Sequence, residues 1–197
     1  MTEDELYQIA RKESPELTSY LGKRKLRDSG AIGYIKSTIY NDRVITNSIL
    51  LFTRDSLGKI VQIEQRRMDN NSYNKIYTDM NAIPIFNIES VLFAETIIIT
   101  ESIHDAESIN QNISGCVAIS TNSASVKMKQ ILMLLVILID KKVWIAFDND
   151  SSGQINAKRL QEFLPNAELL DYPYNDLNEF LKKNRSLFKS YILEQII

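Results

Sequence analysis

Cysteine and histidine are nearly absent from this chain: Cys116 and His104 are the only ones among 197 residues. One thiol closes no internal disulfide, and one of each residue falls short of a Cys/His zinc site, so a disulfide-stapled scaffold and a zinc module are both excluded. A reducing, cytoplasmic setting is the expectation. Long apolar runs are also lacking. The longest, "ILMLLVILI" at 131–139, is well short of the about 20 residues that a membrane-spanning helix needs. With Lys127 and Lys129 ahead of it, it reads as a buried helix that ends near Asp140, and no membrane partner is expected. The N-terminal "MTEDELYQIARKES" is acidic and amphipathic, the pattern of neither a signal peptide nor a basic transit peptide. A dominant charge is missing as well: 23 Lys and Arg stand against 25 Asp and Glu.

What is present is an ordinary globular composition, 44% hydrophobic and 24% charged, enough for one or two small domains. The charge is unevenly spread. Residues 20–75 hold eleven Lys/Arg against five Asp/Glu, which reads either as a solvated face or as a phosphate-binding one.

Two halves differ in pattern, and the boundary is placed at 92/93. Residues 1–22 read as helical, with Thr2 as N-cap. After a basic, glycine-containing stretch, "NSILLFTRDSLGKIVQIEQRRMD" reads as a hairpin, with strands near 48–53 and 59–66 around "RDSLG". "NKIYTD" and "AIPIFN" read as further short strands, so residues 1–92 form a small basic α+β unit.

From residue 93 strands and helices alternate. "ETIIITE", "GCVAIST", "KVWIAFDND" and "NAELLDY" are strands. "HDAESINQ", "SASVKMKQILMLLVILID" and "SSGQINAKRLQEFL" are helices between them, and "NDLNEFLKK" and "SLFKSYILEQ" close the chain. Such alternation predicts an α/β fold: a parallel sheet with helices on both faces and functional groups at the carboxyl ends of its strands.

Carboxylates gather at that edge. Glu101 ends the first strand, four residues before Asp105, and Asp148 and Asp150 end the third. Like charges held close raise one another's pKa unless a cation sits among them, and hard oxygen ligands suit Mg²⁺ or Mn²⁺. Gly153 lets the chain turn into the next helix, whose amides could hold a phosphate. Taken alone, "DNDSSG" reads more simply as a helix cap and turn. The matching acidic strand end at Glu101, and Asp176, Asn178 and Glu179 at the start of a later helix, favour a site. His104 reads as a cap or surface residue, Cys116 as a buried strand residue, Trp144 and Phe147 as sheet core, and "TNSAS" at 121–125 as a helix cap near the strand edge.

In order and spacing, "IIITESIHDAESI", "VWIAFDNDSSGQINAKRL" and "YPYNDLNEFL" resemble the three signatures of the Toprim domain of DnaG-type primases, topoisomerases and OLD-type nucleases. Glu101 matches the family's glutamate, with Asp105 at the family offset. Asp148, Asp150 and Gly153 match its DxDxxG motif. Asp176, Asn178 and Glu179 match the "KDxNE" ending of phage and plasmid primases. The resemblance covers roughly residues 93–183, and it departs at Ser102, where family members usually have glycine. The first half looks like the basic subdomain that precedes Toprim in primases.

The resemblance implies a Toprim fold, Rossmann-like, behind a small basic α+β subdomain, and a DNA primase-like core. Such a core makes short primers on single-stranded DNA from nucleoside triphosphates by Mg²⁺- or Mn²⁺-dependent nucleotidyl transfer, in a phage or plasmid. It implies Asp148 and Asp150 as principal metal ligands, Asp176 as contributor to a second metal, and Glu101 as ligand or general base. Asp105 would orient Glu101 or the helix start. Arg43, Arg66, Arg67 and Lys75 would bind template and nucleotide. Without a zinc module or helicase portion, priming would need a separate helicase or template-recognition protein, or the chain is part of a longer one. A Toprim nuclease and a non-catalytic nucleic-acid-binding accessory protein are the alternatives; a topoisomerase would need a further tyrosine-bearing domain.

Overall fold

The computed structural model describes all residues, Met1–Ile197, and divides them into two compact units, Met1–Pro84 and Ile85–Ile197.

The first unit opens with α1 (Glu3–Ala10) and α2 (Pro15–Lys23). The single helix expected over 1–22 is therefore broken. Ser14 caps a new start by accepting from the Leu17 amide, and Pro15 takes the first helical position, where its missing N–H costs nothing. Thr2 caps α1 as expected, in a reciprocal box with Glu5.

Four antiparallel strands follow in the order β1-β2-β3-β4: β1 (Ile32–Tyr40), β2 (Arg43–Arg54), β3 (Ile60–Arg67) and β4 (Tyr73–Tyr77). Strand β1 and the first residues of β2 lie outside the strands expected from the sequence. The missed hairpin turns at Asn41 and Asp42, both at positive φ, which is the turn chemistry that two-residue hairpins favour. Leu6 and Ala10 of α1 pack with Ile35, Leu50, Phe52 and Ile63. A Cβ on Gly33 would lie 2.7 Å from the Ala10 carbonyl oxygen, so the helix rests directly on β1. "AIPIFN" forms no strand; Phe86 makes only an isolated bridge to Ser120 in the second unit.

That unit alternates as predicted: β5 (Thr96–Thr100), α3 (Ile103–Asn110), β6 (Val117–Ser120), α4 (Met128–Ile137), β7 (Lys142–Ala146), α5 (Ser151–Phe163), β8 (Ala167–Leu169), α6 (Leu177–Lys183) and α7 (Arg185–Ile196). Its sheet is parallel in the order β6-β5-β7-β8. Ile97, Ile98 and Ile99 of the inner strand β5 are fully buried, which explains a continuous apolar run where an alternating one would expose every second residue. Trp144, Phe147 and Cys116 are buried as expected, although Cys116 lies just ahead of β6 and not in a strand, and burial pushes its thiol up to about 11.

Three expectations are corrected here. Helix α4 begins at Met128 and is not buried all round: Ile131 and Leu134 face inward while Met128, Leu132 and Val136 are exposed. Residues 121–125 do not cap it. Lys127 holds the cap position, and the "TNSAS" loop instead turns through a left-handed Asn122 with Thr121 and Asn122 buried. His104 is neither cap nor surface residue, because the first turn of α3 is wholly buried and Ser102 is its cap. No helix is long and apolar enough to cross a membrane.

Candidate active site

Strands β5 and β7 are direct neighbours, with Thr100 in register with Ala146. The chain continuing from each therefore emerges at the same edge. Glu101 follows Thr100 immediately, and Asp148 comes two residues after Ala146. Strand β7 stops short of the acidic pair that was expected to end it.

Asp148 is half-buried, and its carboxyl is pushed up to about 8, first by burial and then by the negative charge of Asp105, Glu101, Asp176 and Asp150. All the predicted acidic residues except Glu179 thus act on one carboxyl group. Glu179 points elsewhere: Lys183 pairs with it at 2.7 Å and holds its carboxyl below the usual range.

Three of the other carboxylates are tied down, whereas Oε2 of Glu101 is buried without a hydrogen-bond donor. Asp150 caps α5 by accepting from the Gly153 amide at 2.7 Å, so the cap reading of "DNDSSG" holds. Asp176 caps α6 by accepting from the Glu179 amide at 2.6 Å. Asp105 is buried and joins two helix starts: the Ser102 hydroxyl donates to its Oδ2, and the Asn178 amide donates to its Oδ1 at 2.9 Å. The Asn178 side chain donates to the Ser108 hydroxyl at 3.0 Å, a second clip between α6 and α3. Ser102, the departure from the family glycine, caps α3 by accepting from the Asp105 amide.

Gly153 does not make a turn. It lies inside α5, where a Cβ would stand 2.1 Å from the Asp148 carbonyl oxygen, and its absence lets the helix start press against the Asp148 backbone.

No three Asp, Glu, His or Cys side chains form a ready-made cation cage. The donor chemistry nonetheless fits Mg²⁺ or Mn²⁺. All the ligands are hard oxygens, a cap occupies one oxygen of a carboxylate that has two, and the crowding at Asp148 is relieved by a cation.

Two residues at this edge were missed. The Asn149 side chain donates to the carbonyls of Tyr172 and Tyr174, and the Tyr172 hydroxyl donates to the Phe147 carbonyl. The only sequence signal was an amide between two acids.

The basic candidates lie in the first unit and do not form one group. Glu64 and Arg66 lie on one face of β3, opposite Lys75 and Tyr73 of β4 respectively. Glu64 is buried, and burial raises its carboxyl pKa against the opposing pull of a Tyr73 hydrogen bond and the Lys75 and Arg66 charges. Arg67, one residue on, points to the opposite face of β3 and pairs with Asp69 through two nitrogens. Arg43 is exposed beside the first hairpin turn. It is six residues along β2 from Ile49, the register partner of Arg66, or about 20 Å.

A four-stranded parallel sheet with these three acidic segments at one edge defines a Toprim-like domain, and residues 98–181 match the protein family described as Toprim-like. No curated protein matches the chain. Solved structures extend the likeness to both units. The chain is similar to the primase fragment of the bacteriophage T7 primase-helicase protein (TM-score 0.63, 17% identity, 91% of this chain and 70% of that one). It is similar to a DNA primase domain from Pseudomonas aeruginosa (TM-score 0.73, 17%, 97% and 76%) and to a DnaG primase catalytic domain bound to single-stranded DNA (TM-score 0.72, 16%, 97% and 76%). The fold is that of a DnaG-type primase catalytic core.

Proposed function

We propose that this chain is the catalytic core of a primase, making short oligonucleotides on single-stranded DNA from nucleoside triphosphates. The observation that carries the reading is the convergence of Glu101, Asp105, Asp150 and Asp176 on Asp148 at the edge of a primase-type sheet.

Asp148 and Asp150 would hold a divalent cation, Mg²⁺ or Mn²⁺, with Asp176 contributing to a second. Such ions stabilise the attacking and leaving oxygens of phosphoryl transfer. Glu101, which follows β5 directly, would ligate or accept the proton of the attacking 3′-hydroxyl. Asp105 holds the starts of α3 and α6 together and so orients the segments that carry Glu101 and Asp176. Arg66 and Lys75 supply positive charge for phosphates, giving salt-sensitive binding largely independent of sequence. A separate helicase or template-recognition protein would supply unwinding and start-site choice, in the replication or transfer of a phage or plasmid.

Primer synthesis on single-stranded DNA with labelled nucleoside triphosphates, with and without Mg²⁺ or Mn²⁺, tests the reading. Wild type should make metal-dependent oligonucleotides and Asp148→Ala none. Degradation of the template in place of synthesis would mean that the same carboxylates serve a nuclease. DNA binding without either reaction, unchanged by the substitution, would leave an accessory protein.

A further inference from the structure

Asn149 separates the two aspartates of the β7–α5 connection. Its Nδ2 donates to the carbonyl oxygens of Tyr172 and Tyr174, each at 2.7 Å, and its backbone amide donates to the Asn175 carbonyl, also at 2.7 Å. A fourth bond returns from the other side: the Tyr172 hydroxyl donates to the Phe147 carbonyl at 2.6 Å. Four hydrogen bonds thus bind the segment bearing Asp148 and Asp150 to residues 172–175, which run directly into Asp176.

The residue type is specific to this geometry. Two carbonyls converge on one NH₂ group, and an asparagine amide supplies two donors from a short stem. Aspartate would turn lone pairs toward both carbonyls, serine has one donor, and glutamine is longer by a methylene. Helix capping does not require any of this, since Asp150 and Asp176 cap their helices through their own side chains.

We propose that Asn149 is a positioning residue that fixes Asp176 relative to Asp148 and makes the two acidic segments a single divalent-cation ligand set. The inference rests on the metal-dependent reading of the site. Without the side-chain amide, each segment keeps its cap but two of the four bonds between them are gone, so the expected loss falls on cation affinity. Removing groups that orient metal ligands typically weakens binding 10–100-fold.

The test is Mn²⁺ binding to the full chain, measured by calorimetric titration at a temperature where circular dichroism shows every variant folded. Asn149→Ala should bind Mn²⁺ at least about tenfold more weakly than wild type, in line with that range. Asp176→Asn should also bind more weakly, and the double variant no more weakly than Asp176→Asn alone, because the amide acts through Asp176. Tyr172→Phe, which removes one of the four bonds, should weaken binding in the same direction and serves if Asn149→Ala does not fold. Wild-type affinity in Asn149→Ala, or losses that multiply in the double variant, would overturn the inference while leaving the metal site standing. Failure of the metal reading shows differently, as wild type and Asp148→Asn binding Mn²⁺ equally or not at all. The cation part of the inference then falls with that reading, and amide exchange decides the positioning part: protection at 175–178 unchanged by Asn149→Ala sinks it, and selective loss there supports it.

Discussion

The backbone carbonyl of Asp148 occupies the space in which a side chain on Gly153 would sit: a Cβ there would lie 2.1 Å from the oxygen and 2.9 Å from the carbon. The start of α5 is thereby seated on the segment that presents the central carboxylate. An alanine elsewhere in a helix interior is about 1 kcal/mol more favourable than glycine. Here Gly153→Ala should instead destabilise by about 3 kcal/mol, as overpacking against backbone does, and should displace Asp148. Denaturant unfolding and Mn²⁺ titration together check this. A variant as stable as wild type would show that the packing is not tight in solution.

Ser102 predicts a graded response. Its hydroxyl accepts from the Asp105 amide at the start of α3 and donates to the buried Asp105 carboxylate. Replacing an N-cap serine by alanine costs about 1 kcal/mol, and by glycine a few tenths. Denaturant midpoints should therefore fall in the order wild type, Ser102→Gly, Ser102→Ala. The reverse order of the two variants would mean that the cap is not what serine contributes.

Three of the basic candidates should separate into working and idle groups. Arg66 shares a sheet face with Lys75, whereas Arg67 is committed to Asp69. Fluorescence anisotropy of labelled single-stranded DNA over a range of salt should show weaker binding for Arg66→Ala and for Lys75→Ala. The salt slope should drop by about 1 for each phosphate-binding cation removed. Arg67→Ala should leave both quantities near wild type. Equal losses for all three would return the basic run to a diffuse electrostatic role.

The second unit was more legible in the sequence than the first, for a physical reason. Its buried parallel strands, such as Ile97–Ile99, print as short apolar runs between turn residues, and its three acidic segments follow such strands in the chain. The first unit hides β1 because its exposed half, with Lys36 and Ser37, reads as loop, although Asn41 and Asp42 carried a hairpin signal. At the site, which carboxylates gather could be read from spacing. How they are held could not. The pairing of Asp105 with the Asn178 amide spans 73 residues of sequence, and Asn149 reaches carbonyls 23 and 25 residues away. Backbone carbonyls leave no residue-type signature for a sequence reading to find.

Asp148 also predicts a dependence on pH whose sign follows from its surroundings. In the metal-free protein its carboxyl is raised to about 8 by burial and by four neighbouring carboxylates, against about 4 for an unfolded chain. Between those values the folded state holds a proton that the unfolded state has released. Stability from this group is therefore present below about pH 4 and declines as pH rises toward 8. A divalent cation reverses the trend because it takes the proton's place on the same oxygens. Thermal melts of the metal-free protein should fall from pH 5 to pH 8, and saturating Mg²⁺ should restore most at pH 8 and least at pH 5. The apparent Mn²⁺ dissociation constant should drop by about tenfold from pH 6 to pH 7, as displacement of one proton requires. Asp148→Asn removes the group that titrates and should flatten both profiles. An apparent affinity independent of pH in wild type would mean that the cation does not sit on Asp148, and the assignment of this carboxylate as principal ligand would have to be given up.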